Sequence, residues 1–580
     1  LNATLARQYD GTTTSAGSTL SSLDALQGGE TLTMTGSGTA ASANVANGIA
    51  MSSNGDLALV DGTGSASNYS LNSTVINIAK RVLNSSGSKL YDANTNALAG
   101  AITLSNLVSG EALNHSGTAS TSSANVGSYT ISNLTGITIA DGSGGTASNY
   151  TLTGGTHQLT INQRPLNATL ARQYDGTTNA AGSDLSSFDA LQGGETLTLS
   201  GSGTAANDNV ANGISVSSLG SLALVNGTGL ASNYSLNSAA INITQRVLTS
   251  SGSKTYDANT NALAADITLS NLVSGEALNH SGTASISSAN AGSYTITNLA
   301  GITIADGSGG AASNYTLTGG THNFTVNPKV ISLSGSRLYD ATTDAVASDL
   351  TTISGLVGSE TLNLSGTGSV ANANVASNKT VTLGTLALAD NSGLAANYTL
   401  SGGTHQLTVN QRPLAATIAR QYDGTKTAAG SDLSSFDALQ GGETLTLSGS
   451  GTVGDENVAN GQAVILGTLA LVDGTGLASN YSLNSASLNI TERVLNSSGS
   501  KTYDANTNAL AADITLSNLV SGEALNHSGT ASISSANAGS YTITNLAGIT
   551  IADGSGGTAS NYTLTGGTHN FTVNRRIVSV

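Results

Sequence analysis

The sequence has no cysteine and no tryptophan, three prolines and four phenylalanines, and only 9% of its residues are charged. Without cysteine there are no disulfides, no thiol chemistry and no structural zinc of the cysteine type. That absence leaves the compartment open, because cytosolic chains and exported chains that stay unlinked in transit both do without it. Cations are scarce, 18 against 34 Asp and Glu, and form no basic block, which excludes a nucleic-acid surface. No apolar run approaches the ~18 residues of a membrane helix, so no membrane insertion is expected. No signal peptide opens the sequence, and Leu1 starts in mid-motif at the counterpart of Leu166, as in a segment cut from a longer protein.

What is present is glycine (71 of 580 residues) together with Ser, Thr, Asn and Ala, and 38% of the chain is hydrophobic. That apolar share is too high for a disordered chain, and the length is too great for one core, so several domains with thin, Ala-rich cores are predicted.

Repetition dominates the chain. A Tyr-Asp pair recurs at a nearly constant interval, at Tyr9, Tyr91, Tyr174, Tyr256, Tyr339, Tyr422 and Tyr503. An Asn-Tyr follows at a matching distance in each copy, at Tyr69, Tyr150, Tyr234, Tyr315, Tyr398, Tyr481 and Tyr562. Copies one, three and six carry ARQYDGT, copies two, four and seven carry YDANTNAL, and copy five, with RLYDATTDAV, stands apart. Residues 246–327 and 493–574 differ only at Thr249 against Asn496 and Ala311 against Thr558, a sign of recent duplication. No two neighbours are of one kind: either like neighbours misassemble while folding, or a two-domain unit was duplicated.

The period within a copy is that of strands. Leu166, Ala168 and Leu170 alternate with Asn167 and Thr169, and further strands are predicted at 195–200, 221–225 and 234–243. A short helical turn is expected in LSSFDALQGGE and LSNLVSGE, and tight turns at Asp61, Asp141, Asn226, Asp306, Asp473 and Asp553. The junctions, such as LTINQRPL and INITQRVL, hold no flexible linker. The domains are placed at 1–80, 81–163, 164–245, 246–328, 329–411, 412–492 and 493–574, with 575–580 opening an eighth copy. The expected fold is mainly β, a tandem array of seven small β-grasp-like or sandwich domains forming a rod. The alternative is a continuous right-handed β-helix, although the short sub-period that its rungs would impose is not visible.

Charged residues follow the same register. A cation lies two positions before each Tyr of Tyr-Asp (Arg172 in copy three), and a Glu follows each at an almost fixed distance (Glu195 after Tyr174). The expected role is structural, with the Glu or the adjacent Asp as the ion partner of the cation. The histidines fall into two repeated contexts, NHSG and GGTH, and no unique catalytic constellation, P-loop or metal motif exists, so neither an enzyme nor a cofactor is expected. Calcium at the Asp-Gly-Ser-Gly-Gly segments is the one metal alternative, and tight turns account for those residues equally well.

Together the Tyr-Asp-Gly strand, the G-x-E-x-L segment after it and the Asn-Tyr before the closing strand resemble the YDG-type repeats of large bacterial filamentous-haemagglutinin-like adhesins, many of them two-partner secreted. Tyr-Asp-Gly itself is present in copies one, three and six, and Tyr-Asp-Ala in the others. The resemblance implies small β domains in an extracellular or cell-surface stalk or filament body that supports adhesion, aggregation or a biofilm matrix. Partners would be neighbouring repeats, other copies of the filament, and host or matrix glycans. The alternative function is a multivalent array of weak glycan- or protein-binding repeats.

Overall fold

The computed structural model describes residues 1–579. It comprises two compact units, one of 1–251, 268–282 and 302–322, the other of 252–267, 283–301 and 323–579 among the described residues. Repeats one to three lie in the first, five to seven in the second, and segments of repeat four fall in each. The fold is mainly β: short strands, single turns of 3-10 helix and, among the described residues, no α-helix.

Repeat one shows the plan. Its strands are β1 (Asn2–Gln8), β2 (Thr14–Ala16), β3 (Leu20–Leu23), β4 (Leu32–Thr35), β5 (Ser37–Ala40), β6 (Ala46–Ser53), β7 (Ala58–Asp61) and β8 (Ser73–Ala79). Six form a sheet in the order β2-β5-β6-β8-β1-β3, and β4 pairs with β7. The first and last strands run parallel at the centre, with Leu5 opposite Ile76 and Arg7 opposite Ile78. All other pairs of the repeat are antiparallel. Alternation decides which face is buried: Ala3, Leu5, Ile76 and Ile78 are at most 1% exposed, while Asn2, Ala6 and Gln8 face water. The same first-to-last parallel pair recurs in repeats two, three, five, six and seven.

A β-helix would have stacked successive strands in parallel along the whole chain. Here each of these repeats closes on its own sheet, so separate tandem domains are what the sequence encodes. The helical turn expected within LSSFDALQGGE is not there: Leu185–Phe188 is a strand antiparallel to the first strand of its repeat, and the single helical turn precedes it at Gly182–Asp184. The turn-forming Asp and Asn residues act as caps. Asp61 Oδ1 accepts the Ala66 N–H (2.6 Å) and Asn226 Oδ1 the Ala231 N–H (2.7 Å), fixing the Ala-Ser-Asn turn that leads into the second tyrosine.

One residue separates the closing strand of a repeat from the opening strand of the next: Lys80, Gln163, Gln245, Pro328, Gln411 and Glu492. The hydrophobic core runs through such a connection. Leu83 and Tyr150 of repeat two share one buried cluster with Leu5, Tyr9, Met34 and Ile76 of repeat one. Leu170, fully buried opposite Ile241, sits in the corresponding cluster of repeat three. Leu170→Ala is expected to cost about 2–5 kcal/mol, read as faster amide hydrogen exchange confined to repeat three and its immediate neighbours.

The repeat junction as candidate functional site

The recurring Tyr, Glu and Asn residues meet where one repeat abuts the next. Glu195 of repeat three receives two tyrosine hydroxyls. Tyr234 of its own repeat donates to Oε2 (2.7 Å), and Tyr91 of repeat two donates to Oε1 (2.5 Å). The arrangement occurs at all six junctions. The preceding repeat's tyrosine (Tyr9, Tyr174, Tyr256, Tyr339, Tyr422) reaches Glu111, Glu276, Glu360, Glu443 or Glu523 at 2.6 to 2.7 Å. The same five carboxylates take Tyr150, Tyr315, Tyr398, Tyr481 and Tyr562 of their own repeats at 2.5 to 2.7 Å. The two rings of each lock cross edge to face, centroids 5.2 to 5.4 Å apart at 76° to 79°. The second tyrosine is held in turn, because its hydroxyl oxygen accepts a backbone N–H from the loop before the Glu (Gln192 to Tyr234, 3.0 Å).

A second contact crosses the same junction. The Asn before the second tyrosine is buried and clasps a loop of the preceding repeat: Asn233 Oδ1 accepts the Val126 N–H (2.9 Å) and its Nδ2 donates to Asn125 Oδ1 (3.0 Å). Asn149, Asn314, Asn397, Asn480 and Asn561 repeat it. Sequence reasoning missed this clasp, although an Asn recurs at every loop position concerned (Asn44, Asn125, Asn209, Asn290, Asn374, Asn457).

The cation before each Tyr-Asp pairs with the Asp, not with the Glu. Arg172 bonds Asp175, and Lys89 lies 2.8 Å from Asp92. Where the cation is Lys in copies two, four and seven, the residue five positions on is Asn, whose carbonyl and amide oxygens both accept from Nζ (Lys254 to Asn259, 2.8 and 2.9 Å). Where it is Arg, that residue is Thr, as with Arg172 and Thr177. The GGTH histidines are also engaged. His157 Nε2 donates to the Leu152 carbonyl (2.7 Å) while Nδ1 lies 2.8 Å from Ser85 Oγ. Asp141, one of the calcium alternatives, caps the Ala147 N–H (2.7 Å). Among the described residues no group of three or more His, Asp or Glu is arranged to hold a metal ion.

The glycine of Tyr-Asp-Gly has a positional reason. Gly11, Gly176 and Gly424 are left-handed (φ +73° to +79°), and a Cβ on each would come within 2.7 to 2.8 Å of Val108, Val273 or Val520 of the following repeat. Ala93, Ala258, Ala341 and Ala505 hold the same left-handed conformation, and after the first three the next repeat has glycine at the position of Ser109: a Cβ added at Gly193 would lie 3.1 Å from that of Ala93 and one at Gly441 2.9 Å from that of Ala341, while one at Gly358 would meet nothing within 4 Å.

The profile of the YDG domain matches residues 2–76, 79–160, 156–242, 239–323, 321–406, 404–489 and 487–569. The chain belongs to the YDG domain family. No curated protein matches it. Among solved structures it is similar to the Bacillus anthracis TIE protein at 9% identity and a TM-score of 0.13, over 51% of this chain and 57% of that one. It is also similar to Drosophila N-cadherin EC1-4 at 8% identity and a TM-score of 0.10, over 71% of this chain and 99% of that one. The YDG array therefore spans little more than half of the first of these chains, and neither likeness carries an argument at such TM-scores.

Burial and then the bond to Glu195 push the Tyr234 hydroxyl up to about 12 from its ordinary value of 10.0, and Tyr315, Tyr481 and Tyr562 are raised to about 12 in the same way. A pKa raised on folding gives stability that is complete below the unfolded value and lost as pH rises through the folded one. The YDG junctions should therefore hold to about pH 10 and come apart as pH climbs through 12. Tyrosinate absorbance rising together with loss of circular dichroism above pH 11 would show this; full ionisation near pH 10 with the fold intact would contradict it. Glu195→Gln takes the charge from both hydroxyl bonds and sets an amide NH2 in place of one acceptor oxygen, and should cost the junction between repeats two and three about 2 kcal/mol, seen as faster amide exchange at Tyr91 and Tyr234 peptides and not at distant junctions.

Proposed function

We propose that the array is the stalk or filament body of a bacterial surface or secreted adhesin of the filamentous-haemagglutinin-like kind, acting outside the cell in adhesion, aggregation or a biofilm matrix. The observation that carries this reading is the junction itself: six times over, a single connector residue and the same Tyr–Glu–Tyr lock join neighbours. Such joints suit a part whose work is to hold other parts at a distance. The low charge and the Ser, Thr, Asn and Gly surface fit a chain that meets solvent and matrix along its length.

The array is read as non-enzymatic and without a cofactor, because its recurring polar residues are spent on one another. Its tyrosines, the aromatic groups best suited to stack on sugars, are largely consumed at the junctions, which favours the stalk over an array of glycan-binding repeats. Immunolabelling of intact producing cells or their matrix should detect the protein; a signal that appears only after lysis would overturn the extracellular reading. Purified protein added to those cells and to their matrix polysaccharide should not be retained, whereas saturable retention would make the repeats themselves the adhesive.

A further inference from the structure

Repeats two, four and seven hold a group of reactive side chains that the other repeats lack. In each, the lysine before Tyr-Asp reaches along the loop that follows it, its side chain only 7% to 12% exposed. Its Nζ lies 2.8 to 3.0 Å from the Asp of the motif (Asp92, Asp257, Asp504). The same nitrogen lies 2.9 to 3.2 Å from the carboxamide Oδ1 of the Asn five positions on (Asn94, Asn259, Asn506). That oxygen also accepts a backbone N–H, from Asn96, Asn261 or Asn508, at 2.8 to 2.9 Å. In repeat four, Asp257 bridges the pair: Oδ1 faces Lys254 Nζ and Oδ2 accepts from Asn259 Nδ2, both at 2.8 Å.

An amine, a carboxamide and a carboxylate in mutual contact are the parts of an aminolysis. The amine becomes the nucleophile once the carboxylate takes a proton from it. The backbone N–H polarises the carboxamide and stabilises the negative charge that its oxygen gains in the tetrahedral intermediate. The carboxyl group then returns the proton to the departing nitrogen. Because the fold holds both reactants side by side, the step is unimolecular. The other four repeats have Arg7 and Thr12, Arg172 and Thr177, Arg337 and Thr342, and Arg420 and Thr425 at the same two positions. There the reaction is closed off, because a guanidinium is not deprotonated in a protein and the threonine side chain has no acyl carbon to attack.

We propose that repeats two, four and seven each close an isopeptide bond within themselves: Lys89 to Asn94, Lys254 to Asn259 and Lys501 to Asn506. In each, the Nζ–Cγ bond forms and the Cγ–Nδ2 bond breaks. A lysine ammonium and a carboxamide become a secondary amide and an ammonium ion, so atoms and charge balance and no oxidant or cofactor takes part. The Asp, 34% to 44% exposed, faces the water into which the ammonia leaves. The reaction runs once at each site and turns over no substrate. In repeats two and four the ring so closed encloses Tyr91 or Tyr256, the tyrosine that reaches the glutamate of the next repeat, and braces that junction covalently.

The intact mass of the purified protein tests this. The wild type should weigh less than its sequence by three molecules of ammonia, and fragment spectra of a peptide containing residues 254–259 should show no separation between the two linked residues. Lys254→Arg combined with Asn259→Thr installs the pair that repeats one, three, five and six carry natively, so the fold is kept, and the deficit should fall by one ammonia. Asp257→Asn, with both reactants in place, should lower the deficit by the same amount. A wild type at its full sequence mass would overturn the proposal. So would a deficit that these changes leave untouched, because succinimides at Asn47-Gly48 or Asn212-Gly213 also lose ammonia and do not need the lysine. The stalk reading is tested separately, by location and retention, and survives any of these outcomes.

Discussion

A carboxylate has two oxygens and accepts more than one strong donor, and the architecture of this chain hangs on that fact. Each junction glutamate spends one oxygen on a tyrosine of its own repeat and the other on a tyrosine of the repeat before. The first bond fixes where the carboxylate points; the second makes the neighbour part of the same hydrogen-bonded group. Bonds of this charge-assisted type are short and about twice as strong as neutral ones. The spacings in the sequence follow. The nearly fixed steps from Tyr174 to Glu195 and from Glu195 to Tyr234, repeated in every copy, are the separations that let one repeat present its acceptor to the repeat before it and its donor to the repeat after it.

The lock would be a loose clasp if the chain between repeats were slack. It is not, because a single residue connects two strands and the apolar cluster of repeat one already contains Leu83 and Tyr150 of repeat two. Tyr9 is buried with Tyr150 of repeat two crossing its ring, and the rise in Tyr91 and Tyr174 above the ordinary tyrosine value has burial as its first cause and the next repeat's glutamate as its second. Stability in such a chain divides into a term for each repeat and a term for each neighbour pair, and here the neighbour term includes core packing as well as hydrogen bonds.

Much of this was legible in the sequence. Period-two alternation announced the strands, and the fixed register of Tyr, Glu and cation announced that those residues act together. What could not be read was which copy each partner belongs to. Tyr91 and Glu195 lie 104 residues apart, farther than one period, so within a single repeat the nearer Asp and the Glu were equal candidates for the cation. The structure gives the Asp to the cation and leaves the Glu to the tyrosines. The parallel pairing of first and last strands was hidden for the same reason, since Leu5 and Ile76 are far apart along the chain. LSSF misled because its two serines face water on a short strand; so short a segment carries too little pattern to separate a turn from an edge strand.

The alternation of kinds has a steric side. Wherever a repeat ends its motif in Tyr-Asp-Ala, the repeat that follows has glycine two positions before its Glu: Gly193, Gly358 and Gly441. Wherever it ends in Tyr-Asp-Gly, the follower has Ser109, Ser274 or Ser521 at that position, next to the valine that leaves the glycine no room for a Cβ. At five of the six junctions one partner supplies the methyl group and the other the space for it; at the sixth, a Cβ on Gly358 would touch nothing. Duplicating a two-repeat unit preserves that match at the new junction, whereas duplicating a second-kind repeat alone would set Ala93 or its like against a Val-Ser loop. Gene duplication and selection for compatible neighbours therefore leave the same pattern in the sequence, and the junction explains why: a copied pair brings its complementary faces with it, and a copied single repeat does not.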